Sequence, residues 1–294
     1  AIEGANQTTL SGNTFVPQNP EVYQDGTFPV VPGYDADGNI LRDGRWSYAW
    51  DAENRLTKIE SRAEYLGLLP GSGRKIECEY DYVGRRIRKK SSVWNAGTEN
   101  WDAPTDRKFI YDGWDLVAVL DGNNTLLQSF AWGTDLSGTM QGAGGVGGLL
   151  SMTVHSGANA GTYFYAYDGN GNVAALISAA NATIVARYEY GPFGEVLRTT
   201  GPLAKENPFR FSTKFQDDET DLLYYGYRYY NASTGRWLSR DPIEEAGGKN
   251  LYEAFNNSPL VFVDRDGMDN YAPAGQNASP VNASCEMYRN TTTD

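Results

Sequence analysis

The chain is poor in the residues on which much hydrolytic and metal chemistry depends. Among 294 residues there is one histidine, and there are two cysteines. His155 follows an apolar run (Leu149 to Val154) and precedes a Ser-Gly-Ala-Asn loop, and no G-x-S-x-G element occurs anywhere. Histidine-assisted nucleophilic catalysis and multi-histidine metal sites are therefore excluded as readings. Cys78 and Cys285 stand far apart without neighbouring ligands, so their spacing makes no zinc site and fixes no disulfide. A buried, free Cys78 on a strand is the expectation. No apolar run approaches the roughly 18 residues of a membrane-spanning helix. Positive charge is also scarce, 25 Lys and Arg against 37 Asp and Glu for a net charge of −12, which disfavours a nucleic-acid partner. The one basic run, Arg85-Arg86-Ile87-Arg88-Lys89-Lys90, lacks interleaved stacking aromatics and reads as a solvated strand paired with acidic neighbours. Nothing in the sequence calls for a cofactor or a metal.

Glycine (33), tyrosine (20) and tryptophan (7) are abundant instead. Gly-rich turns between aromatic strands suit an all-β fold. A degenerate repeat starts at Tyr34-Asp35-Ala36-Asp37-Gly38-Asn39. It recurs at Trp50-Asp51, Tyr80-Asp81, Tyr111-Asp112-Gly113 and Tyr167-Asp168-Gly169-Asn170-Gly171-Asn172, and erodes at Tyr190-Gly191-Pro192-Phe193-Gly194. The unit is a hairpin: an aromatic closes one strand, Asp with Gly or Asn turns the chain, and an aliphatic residue opens the next strand. One hairpin cannot bury its own apolar face, so neighbours must stack. An unclosed stack leaves edge groups that invite another copy.

Two local motifs read as turns rather than sites. The stretch Gly142 to Gly147 contains a formal G-x-G-x-x-G, but a strand-like segment follows where a dinucleotide site needs a helix, so a flexible hairpin loop is expected. Asp168 to Asn172 mimics the start of a calcium loop, yet Ala179 stands where the bidentate Glu belongs.

The densest signal lies between Asn207 and Met268. Tyr224 to Tyr230 alternates as a strand would, a Gly-containing turn over 231–235 returns the chain as Arg236-Trp237-Leu238-Ser239, and Asp241-Pro242 breaks the ladder. Asn250 with Glu253 is expected to cap a short helix. An apolar strand, Leu260 to Val263, then delivers Asp264 into a turn closed by Gly267.

The run YYGYRYYNASTGRWLSRDPI followed by NNSPLVFVDRDGM resembles the Rhs repeat-associated core domain, a family that includes toxin-complex C components and has teneurins as distant relatives. The upstream hairpins resemble its YD repeats, and the resemblance runs from Tyr34 to Met268. It implies an all-β shell of coiled hairpins, divided here into a lead-in (1–33), a YD-repeat region (34–198), a repeat-associated core with a short helix (199–268) and a polar tail (269–294). It also implies aspartic-protease-like self-cleavage: Asp241 and Asp264 as the carboxylate pair, Arg228 beside them, Pro242 and Gly267 in support, and Met268–Asp269 as the bond cut. Arg265 stands where that family's motif has proline, and Glu244 where it has glycine. The implied role is structural, as part of a secreted or surface bacterial protein enclosing its own C-terminal segment or another cargo. The alternative is a teneurin-like adhesive or self-assembling element that pairs through open β-edges and does not cleave. Ala1 heads the chain with no signal-like apolar segment after it, which fits a processed leader or a piece of a longer chain.

Overall fold

A computed structural model describes residues 33–66, 71–268 and 270–271. Nearly all regular structure is β, in short antiparallel strands joined by tight turns. The described residues divide into two compact units, one comprising 33–66, 71–108 and 121–125, the other 109–120, 126–268 and 270–271.

In the first unit the strands are β1 (Gly33–Tyr34), β2 (Ile40–Arg42), β3 (Trp46–Trp50), β4 (Leu56–Ser61), β5 (Arg74–Tyr80), β6 (Arg86–Asn95), β7 (Asn100–Trp101) and the first half of β8 (Thr105–Asp112). Each pairs with the one before it, except that β8 pairs with β6 and β7 hangs off β6. The two-residue period decides what each strand buries. Ile76 and Cys78 of β5 face inward with Trp46, Leu56 and Ile59, while Glu77 and Glu79 face out. Outward charges meet opposite charges across the ladder: Lys58 opposes Glu77, Glu60 opposes Lys75, and Glu79 opposes Arg88. The basic run is thus only half as read from sequence. Arg88 pairs with Asp106 at 2.7 Å and Arg85 with Asp81 at 2.8 Å, but Arg86 and Lys89 point inward and are buried.

The second unit holds the rest of β8, then β9 (Asp115–Asp121, all but its last residue), β10 (Leu126–Trp132), β11 (Leu149–Val154), β12 (Gly161–Tyr167), β13 (Val173–Ser178), β14 (Ile184–Tyr190) and β15 (Val196–Thr200), again paired in sequence order. A four-stranded sheet follows, β16 (Phe215–Gln216), β17 (Leu223–Tyr224), β18 (Tyr229–Asn231) and β19 (Arg236–Trp237), and then the pair β20 (Val263–Asp264) and β21 (Asn270–Tyr271). Two apolar clusters hold this unit. One joins Phe130, Leu149, Met152, Leu176 and Phe209; the other joins Phe211, Leu223, Tyr230, Trp237 and Phe255.

The repeated Asp has one job in both units. At Asp51, Asp81, Asp121 and Asp168 a carboxylate oxygen accepts the backbone N–H groups two and four residues on, and the third residue on is left-handed: Asn54, Gly84, Asn124 and Gly171. Asn and Gly tolerate that conformation, which is why they recur there. The eroded turn keeps its backbone geometry at Gly191, with a Glu195 carboxylate oxygen accepting the Phe193 N–H at 3.1 Å. At four strand ends an aromatic follows a β-bulge, and its polar tip reaches back to a carbonyl at or near the start of the preceding strand. Trp50 donates to Ile40 (2.7 Å), Tyr80 to Leu56 (2.7 Å), Trp132 to Leu116 (2.8 Å) and Tyr190 to Val173 (2.8 Å). The repeat therefore prefers Tyr or Trp over Phe, because the ring fills the core while its donor ties one strand to the next.

Burial opposes ionisation of Asp81, yet the Arg85 guanidinium and the turn amides hold its carboxyl below the usual range. Asp81→Ala strands two turn amides and one guanidinium, and should lower unfolding free energy by about 1–2 kcal/mol in urea titrations. Asp81→Asn keeps an acceptor oxygen and should lose less than half of that.

Four sequence expectations are corrected here. Tyr224 to Tyr230 is not one strand: Gly226 takes a positive φ, the Tyr225 N–H bonds the Arg228 carbonyl, and the run folds into the β17–β18 hairpin. No helix forms at Asn250, whose carboxamide oxygen instead accepts the Tyr252 N–H while its carbonyl accepts the Glu253 N–H; single 3-10 turns flank it at Glu244–Ala246 and Phe255–Asn257. Leu260 to Phe262 is turn and loop, and only Val263–Asp264 is strand. The glycine-dense loop is no solvent-swept hairpin end: Ala143 and Val146 are fully buried, and Asp135 accepts the N–H groups of Ala143 and Gly145.

Candidate functional site

The broken tyrosine run positions the first functional side chain. Because the chain reverses over residues 225–228, Arg228 enters the second unit's interior at the start of β18 and is only 2% exposed. Its guanidinium lies 4.3 Å above the Trp237 ring of β19 and donates from Nη1 to the Leu251 carbonyl at 3.4 Å. Nη2 sits 2.8 Å from an Asp241 carboxylate oxygen and 3.6 Å from one of Asp264. One nitrogen thus stands between two carboxylates. Nε donates to the carbonyl of Gly267.

Asp241 is placed by the break after β19. Its N–H bonds the Leu251 carbonyl at 2.9 Å, and its Oδ1 accepts the Ile243 N–H at 3.0 Å across exposed Pro242. Gly247 lies against the carboxylate so closely that a Cβ there would strike it. Asp264, 1% exposed at the end of β20, accepts the N–H groups of Asp266 (3.1 Å) and Gly267 (2.7 Å). Burial pushes its carboxyl up to about 7, against the opposing pull of Arg228. Near neutral pH this buried group exchanges a proton readily, as general acids and bases do. Gly267 has positive φ, and a Cβ there would press on the backbone and Cβ of Arg228.

The structure therefore brings Asp241, Asp264, Arg228 and Gly267 together, with Pro242 on the rim. Met268 follows at the edge of a cavity of about 470 Å³. Asp269 lies outside the described residues, as do Cys285 and the rest of the tail beyond residue 271. Cys78 is buried on β5. His155 is exposed, and among the described residues its ring hydrogen-bonds the Ser129 hydroxyl at 2.8 Å with no carboxylate to orient it. The Asp168 oxygens are taken up by the N–H groups of Asn170 and Asn172 and by the Asn172 side chain.

Sequence reasoning missed Lys214. It precedes β16, is buried, and donates to the carbonyls of Gly144 (2.7 Å) and Arg265 (2.6 Å) from a position 5.2 Å from the Tyr225 ring centre. A lysine among polar neighbours in Ser-Thr-Lys-Phe carries no local signal of burial. Trp237, which Arg228 lies against, announces itself in the sequence only as a strand residue.

Comparison with known proteins separates the fold from the chemistry. Residues 146–260 match the teneurin YD-shell family model. The chain is 33% identical over 242 residues to the tRNA3(Ser)-specific nuclease WapA of Bacillus spizizenii, covering 80% of this chain and 9% of WapA. The toxin subunit YenC2 of Yersinia entomophaga is 36% identical over 107 residues, 35% of this chain and 11% of YenC2. The crystal structure of TcdB2–TccC3–Cdc42 superposes with a TM-score of 0.60 at 22% identity, over 80% of this chain and 11% of that one. The chain is an Rhs-type YD-shell protein. As such it supplies a structural piece of a shell of the kind found in Rhs and toxin-complex proteins. This Rhs-type chain corresponds to a small fraction of the length of the proteins it matches, so the nuclease activity in one relative's name belongs to that relative. No helix among the described residues is long and apolar enough to cross a membrane.

Proposed function

We propose that this chain is the closing portion of a secreted or surface YD shell and that it cuts its own backbone after Met268, separating the segment that follows. One observation carries the reading: a single buried guanidinium holds Asp241, Asp264 and the carbonyl of Gly267, so both carboxylates lie beside the backbone that leads into the bond. One guanidinium set between two buried carboxylates can neutralise only one of them. Asp264, raised by burial, keeps its proton and donates to the Met268 carbonyl oxygen. Asp241, 2.8 Å from Arg228 Nη2, takes a proton from water as the water oxygen adds to the Met268 carbonyl carbon. The tetrahedral intermediate collapses with rupture of the C–N bond. The Asp269 nitrogen leaves with a proton from the pair, giving a Met268 carboxylate and a free Asp269 amine. The substrate is tethered, so no binding step is needed and proximity supplies much of the rate.

The separated segment, or a cargo domain in its place in a longer chain, is the partner the shell encloses. Intact-mass measurement on freshly made protein tests this directly. A species ending at Met268 is expected, together with its complementary fragment. Full-length mass alone, unchanged over days at pH 5–7, would sink self-cleavage and favour a non-cleaving, adhesive shell element.

A further inference from the structure

The turn that would be cut is held from its far side by a second buried cation. Gly144, in the glycine-dense loop, approaches the Arg265 carbonyl so closely that a Cβ on it would collide with that oxygen. Two backbone carbonyls, those of Gly144 and Arg265, are thereby brought side by side, an arrangement that repels unless a donor lies between them. Lys214 Nζ is that donor, at 2.7 and 2.6 Å. The next residue of the turn is also tied: the Asp266 carbonyl accepts the Tyr227 N–H at 3.0 Å. Arg228 grips the following carbonyl, that of Gly267. Three consecutive carbonyls before the bond are therefore fixed by three separate donors, and Lys214 ties the first of them to the glycine loop.

We propose that Lys214 is a positioning residue for self-cleavage, an ammonium clamp that holds the Arg265 carbonyl against the glycine loop and so fixes the bend that presents Met268 to Asp241 and Asp264. This rests on the self-cleavage reading above. The chemistry of the site suits it. The carboxylates acting on Lys214 are Asp266 and Asp264 from the turn, Asp115 from β9 and Asp135 from the loop, with the Tyr225 ring beside it. Burial lowers the ammonium to about 8 against the pull of those four acids. Its charge in turn draws the Asp264 carboxyl downward. As pH rises through 8 the clamp loses its charge and grips both carbonyls less firmly. The adjoining cavity, walled by Trp114, Trp132, Tyr225 and Tyr227, leaves room for a larger cationic side chain.

Two measurements on the full chain separate this inference from the reading it rests on. The first does not need cleavage. In an Asp264→Asn background, hydrogen exchange in the peptide spanning 262–271 should quicken at least about tenfold when Lys214 becomes Met; unchanged exchange overturns the clamp whether or not the protein cuts itself. The second is the pH profile of cleavage in protein synthesised cell-free and chased at pH 5–10. Loss of the Asp264 proton lowers the rate of every chain above about pH 7; above about pH 8 the parent should fall more steeply than Lys214→Arg, and Lys214→Met should be slowed about tenfold or more at every pH. In Lys214→Met the limb set by Asp264 should also move to higher pH, which loss of packing alone would not cause. A folded Lys214→Met that cuts at the parent rate with the parent profile overturns the proposal. So does a Lys214→Arg whose rate falls as steeply above pH 8 as the parent's, a result that remains readable if the Met variant does not fold. Failure of the parent chain to cut at all, with exchange responding as expected, refutes self-cleavage and leaves Lys214 as the clamp of the turn alone.

Discussion

Asp264→Asn is expected to abolish the Met268-terminated species, with the cleavage rate falling at least about a thousandfold, while the protein becomes more stable above neutral pH. The two effects have one origin. The folded carboxyl titrates at about 7, against a reference value of 3.8. Between those values the native state holds a proton that the unfolded chain has released, so stability falls as pH rises across this window and stays low beyond it. Each pH unit of that window corresponds to about 1.4 kcal/mol, so the ionised Asp264 costs on the order of 4 kcal/mol at pH 8. Asparagine keeps an oxygen for the N–H groups of Asp266 and Gly267 and carries no charge. Its amide nitrogen would face Arg228 Nη2, which trims the gain. Calorimetry should give an Asp264→Asn melting temperature higher by about 5–10 °C at pH 8 and equal or lower at pH 5. Parallel pH profiles for the two chains would show that another group sets the dependence.

Arg228→Met should be the most damaging single change in the second unit. It removes the group that contacts Asp241, Asp264 and the carbonyls of Leu251 and Gly267, and leaves two buried carboxylates without their shared cation. Breaking a buried ion pair from one side costs about 3–5 kcal/mol, because the remaining charge has lost its partner. The loss should shrink below pH 6, where Asp264 is protonated, and urea titrations at pH 5 and pH 8 would expose that difference. Arg228→Lys keeps the charge, but one ammonium cannot span the positions that the planar fork reaches, so an intermediate loss is expected together with a large fall in cleavage. A loss below about 1 kcal/mol for Arg228→Met would mean that water reaches both carboxylates.

The repeat architecture was legible because its signal is local. An Asp that caps its own turn, a Gly or Asn at the left-handed position and an aromatic with a polar tip act within one hairpin or on the next, so Tyr80-Asp81 and Tyr167-Asp168 declare themselves in the sequence. The eroded turn at Gly191 needed the structure to show that Glu195 stands in for the missing Asp. The meeting of Arg228, Asp241 and Asp264 rested on family resemblance alone, since no spacing rule brings those three positions together. Where local pattern misled, tertiary contacts had overruled it. The tyrosine alternation promised one strand, but Gly226 turned it so that Arg228 could enter the interior. Lys214 and Gly144 were silent for the same reason: each is defined by a carbonyl from a distant part of the chain.

The short pairing of β20 with β21, Val263 opposite Tyr271 and Asp264 opposite Asn270, brackets the bond after Met268 within a single hairpin. Hydrolysis there nicks the loop and spares the ladder, so the newly freed chain still lies along its former neighbour. Two residue pairs cannot anchor an independent polypeptide for long. How quickly the piece departs is then a question of local concentration, set by how tightly the surroundings confine it, and chemical cutting and physical escape become separate events with separate clocks.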